Sequence, residues 1–486
     1  MQLLKSQLRI DRQARSPVYL QLANQLIHLV QSGLLRPGDK LPGTRKLAKD
    51  LDVHRQTIVH CLEELEAQGW IEIQDRRGAF ISQQLPQLKR RPLGKQSLST
   101  SPPQSGFAMR SFPHLSPPYQ YNYPMAFDDG APDTRLAPVE ELARAYARNL
   151  RRFNTRQYLG YTEARGNLRL RRILADELGS TRALHPSPEQ IMITRGSQMG
   201  IYLTAAAILR PGDRIVVGQS NYFTANMLFQ HLDAQLCKVR VDQHGLVVDD
   251  IDLLCQQQDI RAVYVTSHHH HPTTVTLPPE RRLQLLELAK QHRFAIIEDD
   301  YDYEFHYDNS PLLPLASADR DGLVVYIGSF SKSIAPAFRT GYIVAPSPFI
   351  DQLCCLRRII DRQGDPIQEL ALADLIEEGV LRRHLKKALK QYRKRRDCFA
   401  KLLREELSEH VQFQLPSGGM ALWAQFDPAI NLTDLSRRAL AKGLYFSDGA
   451  LYRTANNSVN GSRMGFASMN EQEIERAVLT LKSLLI

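Results

Sequence analysis

Two stretches of this chain bring together residue types that can do chemistry. The first is Gly328-Ser-Phe-Ser-Lys-Ser-Ile-Ala-Pro-Ala-Phe-Arg339. The apolar run Leu323-Val-Val-Tyr-Ile327 leads into it and reads as a buried strand of a parallel sheet. Lys332 therefore falls just past a strand's carboxyl end, among small hydroxyl residues. A lysine in that position can form a Schiff base with a carbonyl compound. The nearby serines and Arg339 suit a phosphate, the arginine by bidentate pairing. On this stretch alone, an ordinary surface lysine after a strand is an equal reading.

The second stretch is Phe294-Ala-Ile-Ile-Glu-Asp-Asp-Tyr-Asp-Tyr-Glu-Phe305, an apolar strand ending in carboxylates and tyrosines. A Schiff-base carbonyl that also carries a phosphate describes pyridoxal 5'-phosphate (PLP), whose pyridine nitrogen needs a carboxylate to stay protonated. Asp299 can be that carboxylate and Tyr301 a donor near the ring hydroxyl, if this strand lies beside the one carrying Lys332. A solvent-facing acidic loop is the rival, but such loops rarely interleave three aromatics with their charges. These stretches resemble the fold-type I PLP enzymes of the aspartate aminotransferase superfamily. EDDYDYEF followed by GSFSKSIAPAFR most resembles the aminotransferase-like domain of MocR/GabR-type transcriptional regulators.

The resemblance implies roles for further residues. Thr194-Arg-Gly-Ser-Gln-Met-Gly200 lies between a strand and a helical run, and amides at a helix N-terminus bind phosphate. That signal is weak alone; the resemblance makes Gly196, Ser197 and Gln198 the phosphate loop, with Ser329 also reaching the phosphate. Tyr222 takes the place of the aromatic that stacks on the ring, with Ser-Asn before it where relatives have Pro-Gly. Members that sense γ-aminobutyrate carry arginine where this chain has Thr224, which argues against that ligand. Tyr161, in GYTEARGNLRLRR, matches a tyrosine that crosses to the partner's phosphate, implying a homodimer with shared, swapped sites. Arg463, in Ser462-Arg-Met-Gly-Phe-Ala467, matches the arginine that holds a substrate carboxylate by a fork and becomes the candidate effector clamp; a strand-edge surface arginine is the competing reading.

His268-His-His-His271 before Pro-Thr-Thr could suggest a metal. On an extended segment, consecutive side chains alternate faces, so at most two could share one ion. The resemblance instead puts His271 beside the cofactor, either donating to the ring hydroxyl or lining the effector pocket, with Thr274 where glycine is usual. No metal site is expected.

The elements that must position these residues alternate. Helical patterns separate short β-branched runs at Ile191, Arg214, Ala262, Phe294 and Leu323, which predicts an α/β fold with a mostly parallel sheet. Helices near Val380–Leu407 and Asp434–Lys442, with strands near 411–414 and 421–424, predict a smaller C-terminal subdomain. The basic helix from Leu381 to Arg396 carries the apolar stripe Leu381, Leu385, Ala388, Leu389 and Tyr392, so its charges read as a solvated face.

Ahead of this body stands a different unit. Apolar residues at 19, 22, 23, 26, 27 and 30 form one helical face. Thr44 reads as the N-cap of a second helix, with Leu47, Ala48 and Leu51 inward. A third helix starts after Asp52-Val53 and turns Ile58, Val59, Leu62 and Leu65 inward. Trp70 to Ile81 reads as a hairpin with Arg76, Arg77 and Gly78 at its tip. Two short helices joined by a tight turn describe a helix-turn-helix, and the hairpin is a wing. The alternative is a structural or protein-binding three-helix domain. The run PVYLQLANQL to RRGAFIS resembles the GntR-family winged helix-turn-helix. That implies DNA contacts from Arg45, Arg55, Gln56, Thr57 and the wing around Gly78. His54, where the family commonly has serine, is expected to weaken the third helix's cap.

The expected organisation is multidomain. A winged helix-turn-helix (α+β) spans 10–83, a Pro/Ser/Gln-rich linker spans 84–120, and an α/β PLP-dependent transferase body of fold type I, with large and small subdomains, spans 121–486. Lys89-Arg90-Arg91 in the linker reads as solvated charge. The 486 residues are 43% hydrophobic and 23% charged, ordinary for a globular protein, and the net charge of +10 permits an anionic partner such as double-stranded DNA. The six cysteines show no disulfide-like spacing, and neither a membrane span nor an export signal is apparent, so the cytoplasm is expected. The resemblance implies a PLP-dependent transcriptional regulator. A small amino-compound effector would react with or bind at the Lys332 aldimine and alter promoter binding at two half-sites. One alternative is a working aminotransferase with an appended DNA-binding domain. Another is a DNA-binding protein whose degenerate body no longer holds PLP.

Overall fold

A computed structural model describes residues 7–14, 16–75, 77–85, 105–115, 123, 125–152, 155–307, 312–453 and 459–485. Arg76, Lys89-Arg90-Arg91 and most of the expected linker lie outside the described residues. The chain divides into two compact units, residues 1–109 and 110–486.

The first unit contains α1 (Val18–Gln31), α2 (Thr44–Leu51), α3 (Arg55–Ala67), β1 (Ile71–Gln74) and β2 (Gly78–Ile81). The two strands pair antiparallel, with Ile71 opposite Ile81 and Gln74 opposite Gly78. Helical spacing gathers Leu22, Leu26 and Leu29 with Leu47, Ile58, Leu62 and Leu65, and Ile71, Ala79 and Ile81 close the core. Leu8 and Cys61 join it as well, Leu8 from ahead of the expected boundary at residue 10. Thr44 is not the N-cap of α2: Gly43 is, and Thr44 is the first helical residue, its hydroxyl accepting from Arg55 Nε at 3.5 Å. His54 does cap α3, Nδ1 accepting from the Gln56 amide at 3.3 Å, so the imidazole fills the acceptor role of a serine hydroxyl.

The second unit begins with β3 (Met125–Phe127), followed by β4 (Ile191–Thr194), β5 (Arg214–Gly218), β6 (Gln235–Val239), the small hairpin β7–β8 (Val241–Asp242 and Gly245–Leu246), β9 (Ala262–Val265), β10 (Ala295–Asp300), β11 (Val324–Ser329) and β12 (Gly341–Val344). Seven of these form one sheet in the order β4-β12-β11-β10-β9-β5-β6. Only β12 runs antiparallel to its neighbours. Every residue of β4, β9 and β11 is buried, as continuous apolar strands between helical layers should be. β10 pairs with β11 so that Asp299 lies opposite Ile327 and Asp300 opposite Gly328. The carboxylates of one expected motif and the lysine of the other thus leave the same edge of the sheet, at the strands' carboxyl ends.

A smaller subdomain follows, with β13 (Val411–Phe413), β14 (Ala421–Phe426), β15 (Leu444–Phe446) and β16 (Gly461–Gly465). β13, β14 and β16 form an antiparallel sheet, while β15 pairs parallel with β3. The body's first strand therefore belongs to its last subdomain, where Phe127 packs with Phe399, Leu422, Phe446 and Phe466. In the basic helix Val380–Glu406 the solvated-face reading holds for Arg382, Arg383, Lys386 and Lys387, which are exposed, and fails for Arg395 and Arg396, which are buried. Arg395 pairs with Asp133 at 2.9 Å, and Arg396 donates to the Pro416 carbonyl at 2.9 Å and lies 4.8 Å from the Tyr307 ring. Among the described residues, no helix is long and apolar enough to cross a membrane.

Candidate functional site

Lys332 is half-buried just beyond β11, and its Nζ donates to the Gly130 carbonyl at 2.6 Å. Burial pushes its amine below the ordinary lysine range, partly offset by the Asp129 and Asp128 carboxylates. A lysine held this way is more easily the neutral nucleophile.

Asp299, next to last on the neighbouring strand β10, is 2% exposed. Its Oδ2 accepts from the Tyr264 hydroxyl at 2.7 Å, while its Oδ1 is buried without a hydrogen-bond partner among the described residues. Burial raises this carboxyl to about 7 against the Tyr264 bond. A buried carboxylate with one idle oxygen leaves an acceptor for a cationic N–H, because leaving it unpaired is costly.

The strand ends beyond β11 form a cradle. Gly341 on β12 lies opposite both Ser329 on β11 and Thr194 on β4. A Cβ at Gly341 would stand 2.8 Å from the Gly196 backbone. Gly196, at φ +76°, opens the helix Gly196–Ile208, and a Cβ there would meet the Arg339 guanidinium at 2.9 Å. Two glycines thus hold Ser329, Arg339 and the open amides of Gly196, Ser197 and Gln198 together, as an anion site requires. Gln198 Nε2 donates to the Tyr222 hydroxyl at 3.1 Å, and the Tyr222 ring lies 5.0 Å from that of His271.

Arg463, on β16 and 2% exposed, closes the opposite end. Its Nη1 donates to the Pro272 carbonyl at 3.1 Å, Nη2 to the Tyr301 hydroxyl at 3.4 Å, and Nε lies 3.3 Å from Asp129 Oδ1. Burial opposes its charge, but Tyr301 and Asp129 outweigh that and hold it above the ordinary range. Tyr301 in turn donates to the His269 carbonyl at 2.9 Å.

The four histidines have separate partners. His268 Nδ1 stands 3.1 Å from Asp300, His269 Nδ1 is 2.8 Å from Asp302, His270 Nδ1 is 2.8 Å from the Thr273 hydroxyl, and His271 Nε2 is 3.2 Å from the Tyr452 hydroxyl. Burial pushes Asp300 up, but His268 and Arg182 outweigh it and hold the carboxyl at about 2, making His268–Asp300 a buried ion pair. Burial and then Arg463 hold His271 well below the usual imidazole range, so it is neutral. The residues present fit pyridoxal phosphate: an anion cradle, an idle buried carboxylate oxygen and a lysine lie along one sheet edge.

Comparison with known proteins gives this arrangement its kin. Residues 125–481 match the model for aminotransferase class I and II, and residues 18–81 match that for bacterial regulatory proteins of the gntR family. TauR, an HTH-type transcriptional regulator from Rhodobacter capsulatus, is 30% identical over 463 residues, covering 92% of each chain. The probable rhizopine catabolism regulatory protein MocR from Rhizobium meliloti is 27% identical over 481 residues, covering 98% of this chain and 95% of that protein. The chain belongs to the MocR/GabR-type subfamily of GntR-family transcriptional regulators. Its body is also similar to the multiple substrate aminotransferase from Thermococcus profundus, with a TM-score of 0.69 and 29% identity over 74% of this chain and 90% of that one.

Of the remaining residues of this MocR-type regulator, Tyr161 stands outside the cluster, while Thr224 bonds the Tyr222 hydroxyl. Tyr161 is 78% exposed, its ring 3.7 Å from the Arg362 guanidinium. Thr224 is half-buried at the start of the helix that follows Tyr222. In the DNA-binding unit, Arg45, Arg55, Gln56 and Gly78 are exposed and Thr57 is half-buried. Gln56 Nε2 stands 3.2 Å from His60 Nε2. Lys40, not anticipated, joins the wing with its Nζ 5.6 Å from the Phe80 ring. Sequence reasoning also missed Asp128-Asp129-Gly130, Tyr264, Asp302 and Tyr452. The signal for Asp128-Asp129-Gly130 was an acidic pair closing the short apolar run at 125–127; Asp302 stood within the carboxylate-rich stretch after β10, and Tyr264 within the run that forms β9.

Proposed function

We propose that this regulator senses a small amino compound at a PLP site in its body, and that occupancy of the site changes how its N-terminal unit binds promoter DNA. The observation that carries this is Asp299 Oδ1, buried and unpartnered on the strand beside the one that delivers Lys332. When bound, pyridoxal phosphate supplies an electrophilic carbonyl on an electron-withdrawing ring. Lys332 is its anchor. The amides of Gly196, Ser197 and Gln198, with Ser329 and Arg339, hold the phosphate. Asp299 would hold the ring nitrogen protonated, with Tyr222, Tyr301 and His271 as the side chains that would line the ring. Arg463, paired with Asp129, lines the effector's end of the site.

Tyr161, exposed on its own chain, reaches the phosphate of a second copy in a swapped homodimer. Two N-terminal units then read two half-sites. Arg45 and Arg55 contact phosphates or guanine edges, Gln56 a base edge, and Thr57 and Gly78 the backbone. The working division is 10–83 for DNA binding, 84–120 for the linker and 121–486 for sensing, in the cytoplasm.

The test is the visible spectrum of purified protein supplied with PLP, with borohydride fixation, beside Lys332→Ala. Amines are then titrated while promoter binding is followed by fluorescence anisotropy. A visible band lost in Lys332→Ala, a reduced adduct at residue 332 and an amine that moves both signals are expected. Colourless protein with no adduct overturns the proposal. The likeness to the Thermococcus aminotransferase supports a second reading, a body that transaminates. Sustained turnover with a 2-oxo acid would select it.

A further inference from the structure

Arg463 does not face the effector pocket alone. Asp129 Oδ1 stands 3.3 Å from its Nε, 3.4 Å from the Tyr452 hydroxyl and 3.5 Å from His271 Nε2. Among the described residues Asp129 Oδ2 accepts no hydrogen bond, and the side chain is 48% exposed. Two more carboxylates, Asp128 and Asp302, act on the Lys332 charge. Asp128 is tied down by the Gly130 and Ala131 amides at 2.8 and 2.7 Å and by the Ser468 hydroxyl at 2.6 Å. Asp302 is buried against His269, with Oδ2 unpartnered. On this side of Lys332 the carboxylates of Asp128, Asp129 and Asp302 stand against the Arg463 guanidinium and, at Asp302, the His269 ring; burial raises the Asp129 carboxyl against the pull of Arg463 and Lys332.

We infer that Asp129 determines the effector class: an amino compound whose far end carries a second cationic group rather than a carboxylate. Arg463 is already matched from within the chain. An incoming carboxylate would have to displace Asp129 and enter a region of excess negative charge, whereas an ammonium would find Asp129 Oδ2 open. This rests on the proposed cofactor site and names the chemistry of what that site accepts.

Three amines of one length decide it: 1,4-diaminobutane, 4-aminobutanoate and butylamine, titrated into PLP-loaded full-length protein by calorimetry and by the visible band. The diamine should bind at least about tenfold more tightly than 4-aminobutanoate, with butylamine between, as expected for a partly buried opposite charge. Asp129→Asn should weaken the diamine, strengthen 4-aminobutanoate and bring the ratio to about one or below. A wild-type ratio of one or less overturns the inference without any variant. So does a ratio unmoved in Asp129→Asn protein that keeps its visible band. Where no PLP is taken up, the cofactor reading has failed by itself. The same amines are then ranked by calorimetry on cofactor-free protein, where the same order supports the role of Asp129 and the reverse order overturns it.

Discussion

The DNA-binding unit and the body hold their functional residues in opposite ways. Arg45, Arg55 and Gln56 lie exposed on helix surfaces, and the side-chain bonds of Arg55 and Gln56 go to residues eleven and four positions away. In the body, Lys332 bonds a carbonyl 202 residues away, and Arg463 bonds carbonyls 334 and 191 residues away. A surface reader can be altered without touching the fold that presents it. A sensor assembled from distant segments cannot, because its functional groups are also its seams.

The sharpest test of this contrast is Asp299. Its native carboxyl is raised above the unfolded value, so the native state holds the proton more tightly. The penalty for ionising it is absent below pH 4, grows up to pH 7 and is constant beyond. Cofactor-free protein should therefore lose stability over that window, by up to about 4 kcal/mol. Asp299→Asn should flatten the loss, read by denaturant unfolding at pH 5 and 8. Next in size, Arg463→Ala should cost about 2–3 kcal/mol of stability, since it strips partners from Asp129, Tyr301 and the Pro272 carbonyl. A cost below 0.5 kcal/mol in the same assay would erase the contrast. Arg55→Ala should weaken promoter binding by about 1–2 kcal/mol and flatten its salt dependence by about one ion, leaving the unfolding midpoint unmoved. Smallest is His54→Ala, which should remove the cap of α3 and cost about 0.5–1 kcal/mol, read as a fall in melting temperature of the isolated DNA-binding unit if that unit is soluble, or of the full chain.

The same contrast explains what the sequence made legible. Helical spacing located part of the DNA-binding unit's core on its helices, Leu22, Ala23, Leu26, Leu47, Ala48, Ile58, Leu62 and Leu65, but not Leu8, Leu29, Leu41, Cys61 or the strand residues Ile71, Ala79 and Ile81. In the body, Lys332, Asp299 and Gly196 each follow an apolar strand, and a strand's end is visible in one dimension. Five of the seven sheet strands were legible as β-branched runs. β12 was not, since its four residues lie one residue past the lysine motif and open with Gly341, leaving too short a β-branched run to stand out. The Asp128–Gly130 segment was invisible because its meaning lies in partners from β16 and the lysine loop. The burial of Arg395 and Arg396 was also hidden, since charge density in a helix does not reveal that Asp133 waits at its inner face.

The bond from Lys332 to the Gly130 carbonyl carries a mechanical implication. Gly130 follows β3, which is knitted into the small subdomain through β15, while Lys332 hangs from the large sheet. That contact is one of the ties across the two lobes, beside those of Arg463 to the Pro272 carbonyl and the Tyr301 hydroxyl. Any reaction that claims the lysine nitrogen must first unfasten it, and the tie it loses lies three residues past the first described strand after the segment that leads back to the DNA reader, a strand still held by β15.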